Sequence, residues 1–559
     1  MRPFDLSYPV VVAFFALVGA PFAASSAVSD GPIAAIQGIK GWLGIPDETD
    51  GTAPIDYGPG AGKPQPGPVM LARTAALAVK TSLPQGGTTA NITGVFGAAV
   101  TWPIMPIHAV LLPDGRVMNY GTDAGGRQGA QLIYDIWDPR LGTDASAHRV
   151  LPNTTKTDIF CSAQSLMVSG DVLTSGGDLT VNSSRNNAQN ATTIFSPRSN
   201  TISANTAMNY ARWYGSLVSL PSGQLAVFGG RQNVGATNPA QPASTPELYD
   251  PSLRSWVALT GAASAGAFSG PNWYYPRAFI AHGGTVFLIG HDGAMYSIST
   301  TGAGSIVQLP GNAFPGNSAL PTISYAPGMA LSIRLSQHVV VADFRKPSPV
   351  VTSSDSLDQV RYWASGTILA DGKVLVTGGS QVANQLTGVA YRALIWDPAT
   401  GHWIAGASAT KPRLYHSIAM LLPDATVLTG GGGAPGPVKN LNAEIYYPPY
   451  LYASKGTPAV RPQLTAATST VLRPGNTIHL TVGATDIISR LTFVRTGSVT
   501  HSNNADQRFL DLTFMQEGQN LTAVLPTDTS RLVPGFYMLF AFNDAHVPSV
   551  AAIFSVMSY

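Results

Sequence analysis

The 559-residue chain is predicted to be all-β: a seven-bladed, kelch-like β-propeller followed by an immunoglobulin-like β-sandwich. Three observations carry this. A unit of apolar strand, tight turn and apolar strand ending in glycines recurs between residues 96 and 455. The composition, with 58 glycines, 43 prolines and only 11% charged residues, suits turn-rich β-structure better than helical bundles or disorder. After about residue 456 the repeats give way to strict apolar–polar alternation at strand period.

In chain order, residues 1–24 ("MRPFDLSYPVVVAFFALVGAPFAA") read as a secretory leader, or else an N-terminal anchor, with an apolar run from Val10 to Ala20. Pro21 makes the run short for a membrane span, and no transmembrane domain is expected after processing. Residues 25–95, with "IDYGPGAGKPQPGP", read as a linker or pro-segment. The repeats begin with "HAVLLPDGRVMNYG" and continue through "SAQSLMVSGDVLTSGGD", "GSLVSLPSGQLAVFGG" and "AFIAHGGTVFLIGHDG". A degenerate fifth copy covers "GMALSIRLSQHVVVADF"; "SGTILADGKVLVTGG" and "HSIAMLLPDATVLTGGGG" complete the set. Asp114-Gly115, Ser222-Gly223 and Asp371-Gly372 are hairpin turns. A single four-stranded unit cannot bury its own faces, whereas a ring of them can. Residues 456–559 form the sandwich. The net charge of +2, without a basic block, makes nucleic acid a poor partner.

The blades share a register. Nine residues before the turn glycines Gly170, Gly223 and Gly372 stand Cys161, Tyr214 and Trp363; nine before Ala425 of the seventh turn stands His416, next to Tyr415. Equivalent blade positions are related by rotation about the propeller axis, so Cys161, Tyr214, Tyr415 and His416 converge there. Imidazole and phenol oxygen suit Cu(II). The set is one ligand short, and His501 in the polar turn "GSVTHSNNADQR" of the sandwich is placed to complete it. Each residue alone has a plainer reading: wall tyrosines, a satisfied core histidine, a surface-loop histidine, a small buried thiol. Their common register favours a site. Cys161 is also the only cysteine of a chain that reads as exported, where thiols ordinarily pair.

With "IFC", "ARWYGS", "RLYHS", "AEIYYPPYLY" and "VTHSNNADQR", the chain resembles the galactose oxidase and glyoxal oxidase family of copper-radical oxidases from about residue 96 to 559. The resemblance implies a thioether between Cys161 and a ring carbon of Tyr214, which makes the phenoxyl radical easier to form and keep. It implies one copper ion per chain held by Tyr214, Tyr415, His416 and His501, with Tyr415 as axial tyrosinate and base. The implied reaction oxidises a primary alcohol or hydrated aldehyde with O2 and releases H2O2.

Departures from the family bear on substrate. Where galactose oxidases have the tryptophan of Gly-Gly-Ser-Trp over the thioether, this chain has "GGRQ" with Gln232, leaving Trp273, Tyr275 and Trp363 as shield candidates. The sugar-binding arginine has no clear counterpart, although Arg277 is near the expected region. "RWY" is closer to the glyoxal oxidase branch, so a small aldehyde or primary alcohol is expected ahead of a sugar alcohol. A non-catalytic secreted propeller serving as a binding module is the main rival, and a secreted or cell-surface location is expected for either.

Overall fold

The computed structural model describes residues 83–558 except 182, 183, 233–240 and 468; the leader and residues 25–82 of the linker lie outside the described residues. Tight turns with alternating apolar strands produce antiparallel sheets of four main strands, and seven such sheets follow one another among the described residues, the second with a separate hairpin inserted and the seventh taking its outer strand from Val95–Phe96. Their innermost strands are His108–Leu111, Ala163–Leu166, Trp213–Ser219, Arg277–Ile280, Thr322–Ala326, Ser365–Ile368 and Ser417–Leu421. These strands are buried almost throughout and pack against their counterparts in neighbouring sheets, so the ring has an apolar hub. At the first-hairpin turns Gly115, Gly170, Gly223 and Gly372 have φ of 83°, 89°, 84° and 86°, where a side chain is strained; Ala425 takes the same place at 67°.

Two details differ from the sequence reading. The fifth sheet starts earlier, at Thr322–Ala326, so "GMALSIRLSQHVVVADF" supplies its second and third strands; the first strand lacks the aspartate- or serine-glycine turn that marks other copies. Residues 83–95 are also packed structure and not linker. Val95–Phe96 pairs with Tyr446 and Tyr447 at the outer edge of the seventh sheet, and Gly86 N donates to Gly456 O at 3.0 Å. Val95–Phe96 thereby supplies the outer strand of the last sheet.

Two buried ion pairs explain the arginines of "ARWYGS" and "RLYHS". Arg212 reaches Glu247 at 3.1 Å and Arg413 reaches Glu444 at 3.0 Å. Each guanidinium also donates to carbonyls of its own sheet, Gly229 and Gly431 respectively. Each pair fixes the segment that leads into an innermost strand, and thereby the residues that follow it.

Beyond residue 464 two further sheets, one ordered from Leu464–Ala467 to Phe514–Glu517 and the other built around Gly535–Asn543 and Ile488–Arg495, enclose a separate core including Phe493, Tyr537 and Phe554. Between these strands a hairpin leaves the sandwich and joins the propeller. Ser498–Thr500 pairs with His108–Leu111 in the first sheet, register His108↔Thr500, and folds back on Asn503–Asn504. The descending arm is pinned at its base. Asp506 accepts from Ser165 Oγ at 2.8 Å, Ser219 Oγ at 3.2 Å and Arg495 Nη1 at 3.0 Å, while Gln507 donates to Thr367 at 2.7 Å. Removing one partner of a buried charge pair leaves the other desolvated and unpaired. Asp506→Ala is therefore expected to lower unfolding free energy by about 3–5 kcal/mol, read from the denaturant midpoint of the copper-free chain.

Candidate copper site

The sites are made where innermost strands begin. Cys161, Tyr214, Tyr275, Trp363 and His416, from the second, third, fourth, sixth and seventh sheets, all have positive φ, at 59°, 68°, 36°, 65° and 67°. Non-glycine residues avoid this region at a cost of ~1–3 kcal/mol each, and such residues cluster at functional sites. The conformation recurs because each chain segment turns sharply down the axis, which drives the side chain inward. Backbone bonds then lace the positions together: Tyr275 N donates to Tyr214 O (2.8 Å), Tyr214 N to Cys161 O (3.1 Å) and Cys161 N to His108 Nε2 (3.1 Å). Trp363 N donates to Ala319 O at 2.7 Å, which brings the fifth sheet into the same ring.

All five residues singled out by register and turn come together. Cys161, Tyr214, Tyr415, His416 and His501 are each no more than 1% exposed. The hydroxyls of Tyr214 and Tyr415 are 2.6 Å apart, and Cys161 Sγ lies 3.9 Å from His501 Nε2. Ligand atoms of Cys161, His416 and His501 lie within 4.8 Å of one another. The rings of His416 and His501 meet edge to face at 4.6 Å, and His501 is 5.0 Å from Tyr214 and 5.4 Å from Tyr415.

Hydrogen bonds orient the two imidazoles. His416 Nδ1 lies 2.8 Å from Gly433 O, and a carbonyl only accepts, so the proton is on Nδ1 and the lone pair on Nε2. His501 Nδ1 is held by Thr500 Oγ1, which leaves its Nε2 on the side of Cys161 Sγ. Fixing one ring nitrogen this way is how proteins present the other to a metal. Burial pushes the His416 pKa down to about 3 and holds that of His501 well below the usual value, so both rings are neutral, as ligation requires. Two neutral imidazoles and two phenols fit copper, and no carboxylate oxygen takes part in the group.

The aromatics around Tyr214 extend beyond Trp273, Tyr275 and Trp363. Trp213 lies nearest Tyr214, rings 3.8 Å apart and tilted 32°; Tyr274 is at 4.3 Å, Tyr275 at 5.1 Å and Trp273 at 6.2 Å, nearly parallel. Trp363 packs on Tyr415 at 4.4 Å. The Arg231 guanidinium of "GGRQ" covers the other partners, 4.0 Å from the Trp213 ring and 5.8 Å from Trp273, while Gln232 ends the strand and pairs with Gln241. Counting nine back from Gly284 would have placed Tyr275 in the register. Trp213 and Tyr274 are neighbours of register positions and carry no such mark. Arg277 is buried beneath Tyr275 and donates to Ser318 O and Leu320 O.

Comparisons with known proteins show what the chain is similar to. The model of the galactose oxidase-like early set domain family matches residues 461–556. Over 500 residues the chain is 28% identical to a galactose oxidase of Gibberella zeae, covering 83% of this chain and 70% of that protein. It is 26% identical to an aldehyde oxidase, GLOX, of Vitis pseudoreticulata, over 80% of this chain and 94% of that one. A solved fungal alcohol oxidase of the AA5 family, in complex with copper, superposes with a TM-score of 0.74 at 25% identity, covering 83% of this chain and all of that one.

Burial of four histidines has a measurable consequence. His108, His291 and His416 have pKa values lowered to about 3, and that of His501 lies well below its usual value, in each case first by desolvation. The unfolded chain binds protons below about pH 6.5 that the folded chain refuses, so stability is complete above that pH and declines as pH falls towards 3. The unfolding free energy of the copper-free chain is expected to fall by up to about 1.4 kcal/mol per pH unit for each histidine as pH drops below about 6.5. Denaturant titrations from pH 7 to pH 4 check this, and a flat profile would contradict it.

Proposed function

We propose that the chain, which is similar to galactose oxidases and to glyoxal oxidase-type aldehyde oxidases, is a copper-dependent oxidase that oxidises a small aldehyde or primary alcohol with O2, releasing H2O2, through a Cys161–Tyr214 thioether radical cofactor. The observation that carries the reading is the convergence of Tyr214, Tyr415, His416, His501 and Cys161 at one buried point, from three propeller sheets and the sandwich hairpin. A relative called aldehyde oxidase, and an "RWY" segment in place of the sugar oxidases' pattern, support the small substrate over a sugar.

In this reading His416 and His501 hold copper through Nε2, and Tyr214 and Tyr415 through their phenolic oxygens. Bound copper supplies a one-electron acceptor and a Lewis acid for the substrate oxygen. Tyr415 takes the proton of the substrate hydroxyl; the 2.6 Å approach to Tyr214 places its oxygen beside the second reacting tyrosine. Tyr214, in its radical form, takes a hydrogen atom from the carbinol carbon. The substrate gives up two electrons and two protons in all, and O2 receives both as H2O2. Trp213, Tyr274 and Trp273 line the Tyr214 ring and exclude water that would quench a radical.

Thioether formation joins Cys161 Sγ to the Tyr214 ring with loss of two hydrogens, which O2 accepts. Peptide mass spectrometry before and after aerobic copper loading is expected to show a Cys161–Tyr214 pair lighter by two hydrogens. Cys161→Ser is expected to abolish that product and lower kcat by at least about 10²-fold with copper still bound. An alkylatable Cys161 at full copper occupancy, with peroxide production intact, would overturn the radical reading.

A further inference from the structure

Two arginines beside the site are unexplained by the reaction. Arg277 and Arg334 are 1% and 3% exposed, yet among the described residues neither makes an ion pair. Arg277 uses only Nη2, on the carbonyls of Ser318 and Leu320, and Arg334 only Nη1, on Gly290 O at 3.0 Å. Arg277 Nε and Nη1, and Arg334 Nε and Nη2, have no hydrogen-bond partner. His291, which faces both arginines, is committed through Nε2 to Tyr274 O at 2.8 Å. Asp292, the carboxylate whose charge acts on Arg334, is already held by Asn272 at 2.8 Å and the Ala294 amide at 3.0 Å.

Buried guanidinium groups without a counter-charge are costly, and proteins ordinarily supply one. The atoms left open say what kind. Nε–H and one Nη2–H of a guanidinium point the same way and form the side-on fork that matches the two oxygens of a carboxylate. Arg334 has that whole edge open.

We propose that Arg277 and Arg334 form a buried receptor for one small carboxylate, taken by Arg334 through its Nε–Nη2 edge and by Arg277 through Nε or Nη1. The receptor shares a wall with the catalytic centre. Arg277 lies two residues beyond Tyr275, whose N is bonded to Tyr214 O, and Tyr274 OH is 3.5 Å from Tyr415 OH. The carboxylate has two sources: an acid group on the substrate or product, which would narrow the proposed substrate class to aldehyde or hydroxy acids, or a free carboxylate ion. Only that narrowing rests on the oxidase reading; the receptor itself does not.

The test uses the full chain, first without copper. Equilibrium dialysis with labelled formate is expected to give one site per chain. Formate should raise Tm saturably, by about 3 °C at a hundredfold excess over its Kd, with ionic strength held by methanesulfonate. Arg334→Lys, which keeps the charge and loses the fork, should weaken formate binding at least tenfold. With copper loaded, formate competing against a neutral alcohol assigns the carboxylate to the substrate's position, and binding without competition assigns it to a separate free ion. No formate bound by the wild-type chain, or equal binding by a folded Arg334→Lys, overturns the receptor whatever the outcome for the oxidase.

Discussion

The backbone pairing of Ser498–Thr500 with His108–Leu111 is the interaction on which the rest of the site depends. A propeller hub of seven innermost strands presents phenols, a thiol and His416, while its other imidazole, His108, is engaged at both ring nitrogens, by Cys161 N and by Gln164. The hairpin brings His501 to the hub as an added strand of the first sheet. Its position is therefore set by main-chain hydrogen bonds, and Gln164 Nε2 on Val499 O (3.0 Å) together with Asp506 on Ser165 and Ser219 fixes its depth. Positions defined by ladder register vary much less than positions on a free loop, and a metal site needs that accuracy.

A second constraint is the turn each segment makes before it descends the axis. Positive φ at Cys161, Tyr214, Tyr275, Trp363 and His416 is the same strained solution repeated by different sheets. The strain is held in place by the ring of bonds from Tyr275 to Tyr214 to Cys161 to His108, and by close approach of the glycines opposite: a Cβ on Gly431 would lie 2.6 Å from His416 O, and one on Gly230 3.0 Å from Gly215 N. Repeat architecture thus supplies catalytic geometry as a by-product of ring closure.

This explains what could be seen in the sequence. The hub residues are legible because glycine is favoured at the positive φ of these turns, with Ala425 the exception, and so marks the point from which the strand start can be counted. His501 was legible as a histidine in a polar turn, although its pairing partner, His108–Leu111, was not, since strand pairing at a sequence separation near 390 leaves no local trace. Trp213 carries no repeat mark: it stands beside Tyr214, one residue before the register position, and the position after the glycines of the second strand holds Arg231, which covers the Trp213 ring at 4.0 Å. The fifth sheet was misplaced because its opening hairpin, "YAPGM", lacks the turn residues of the other copies.

The isolation of Cys161 also acquires a physical sense. A chain with one cysteine offers no internal partner for a disulfide, and at 0% exposure this thiol is closed to external ones. Oxidation of the folded protein can then reach the sulfur only from within the hub, where the backbones of Cys161 and Tyr214 are joined by a hydrogen bond and His501 Nε2 lies 3.9 Å from Sγ. The neutral imidazoles accept the metal without first shedding protons, and the buried setting withholds water from whatever forms there. A second cysteine able to reach the hub would give oxidation an alternative product. Absence of competing thiols and enclosure by aromatics therefore act together, each closing a route that the other leaves open.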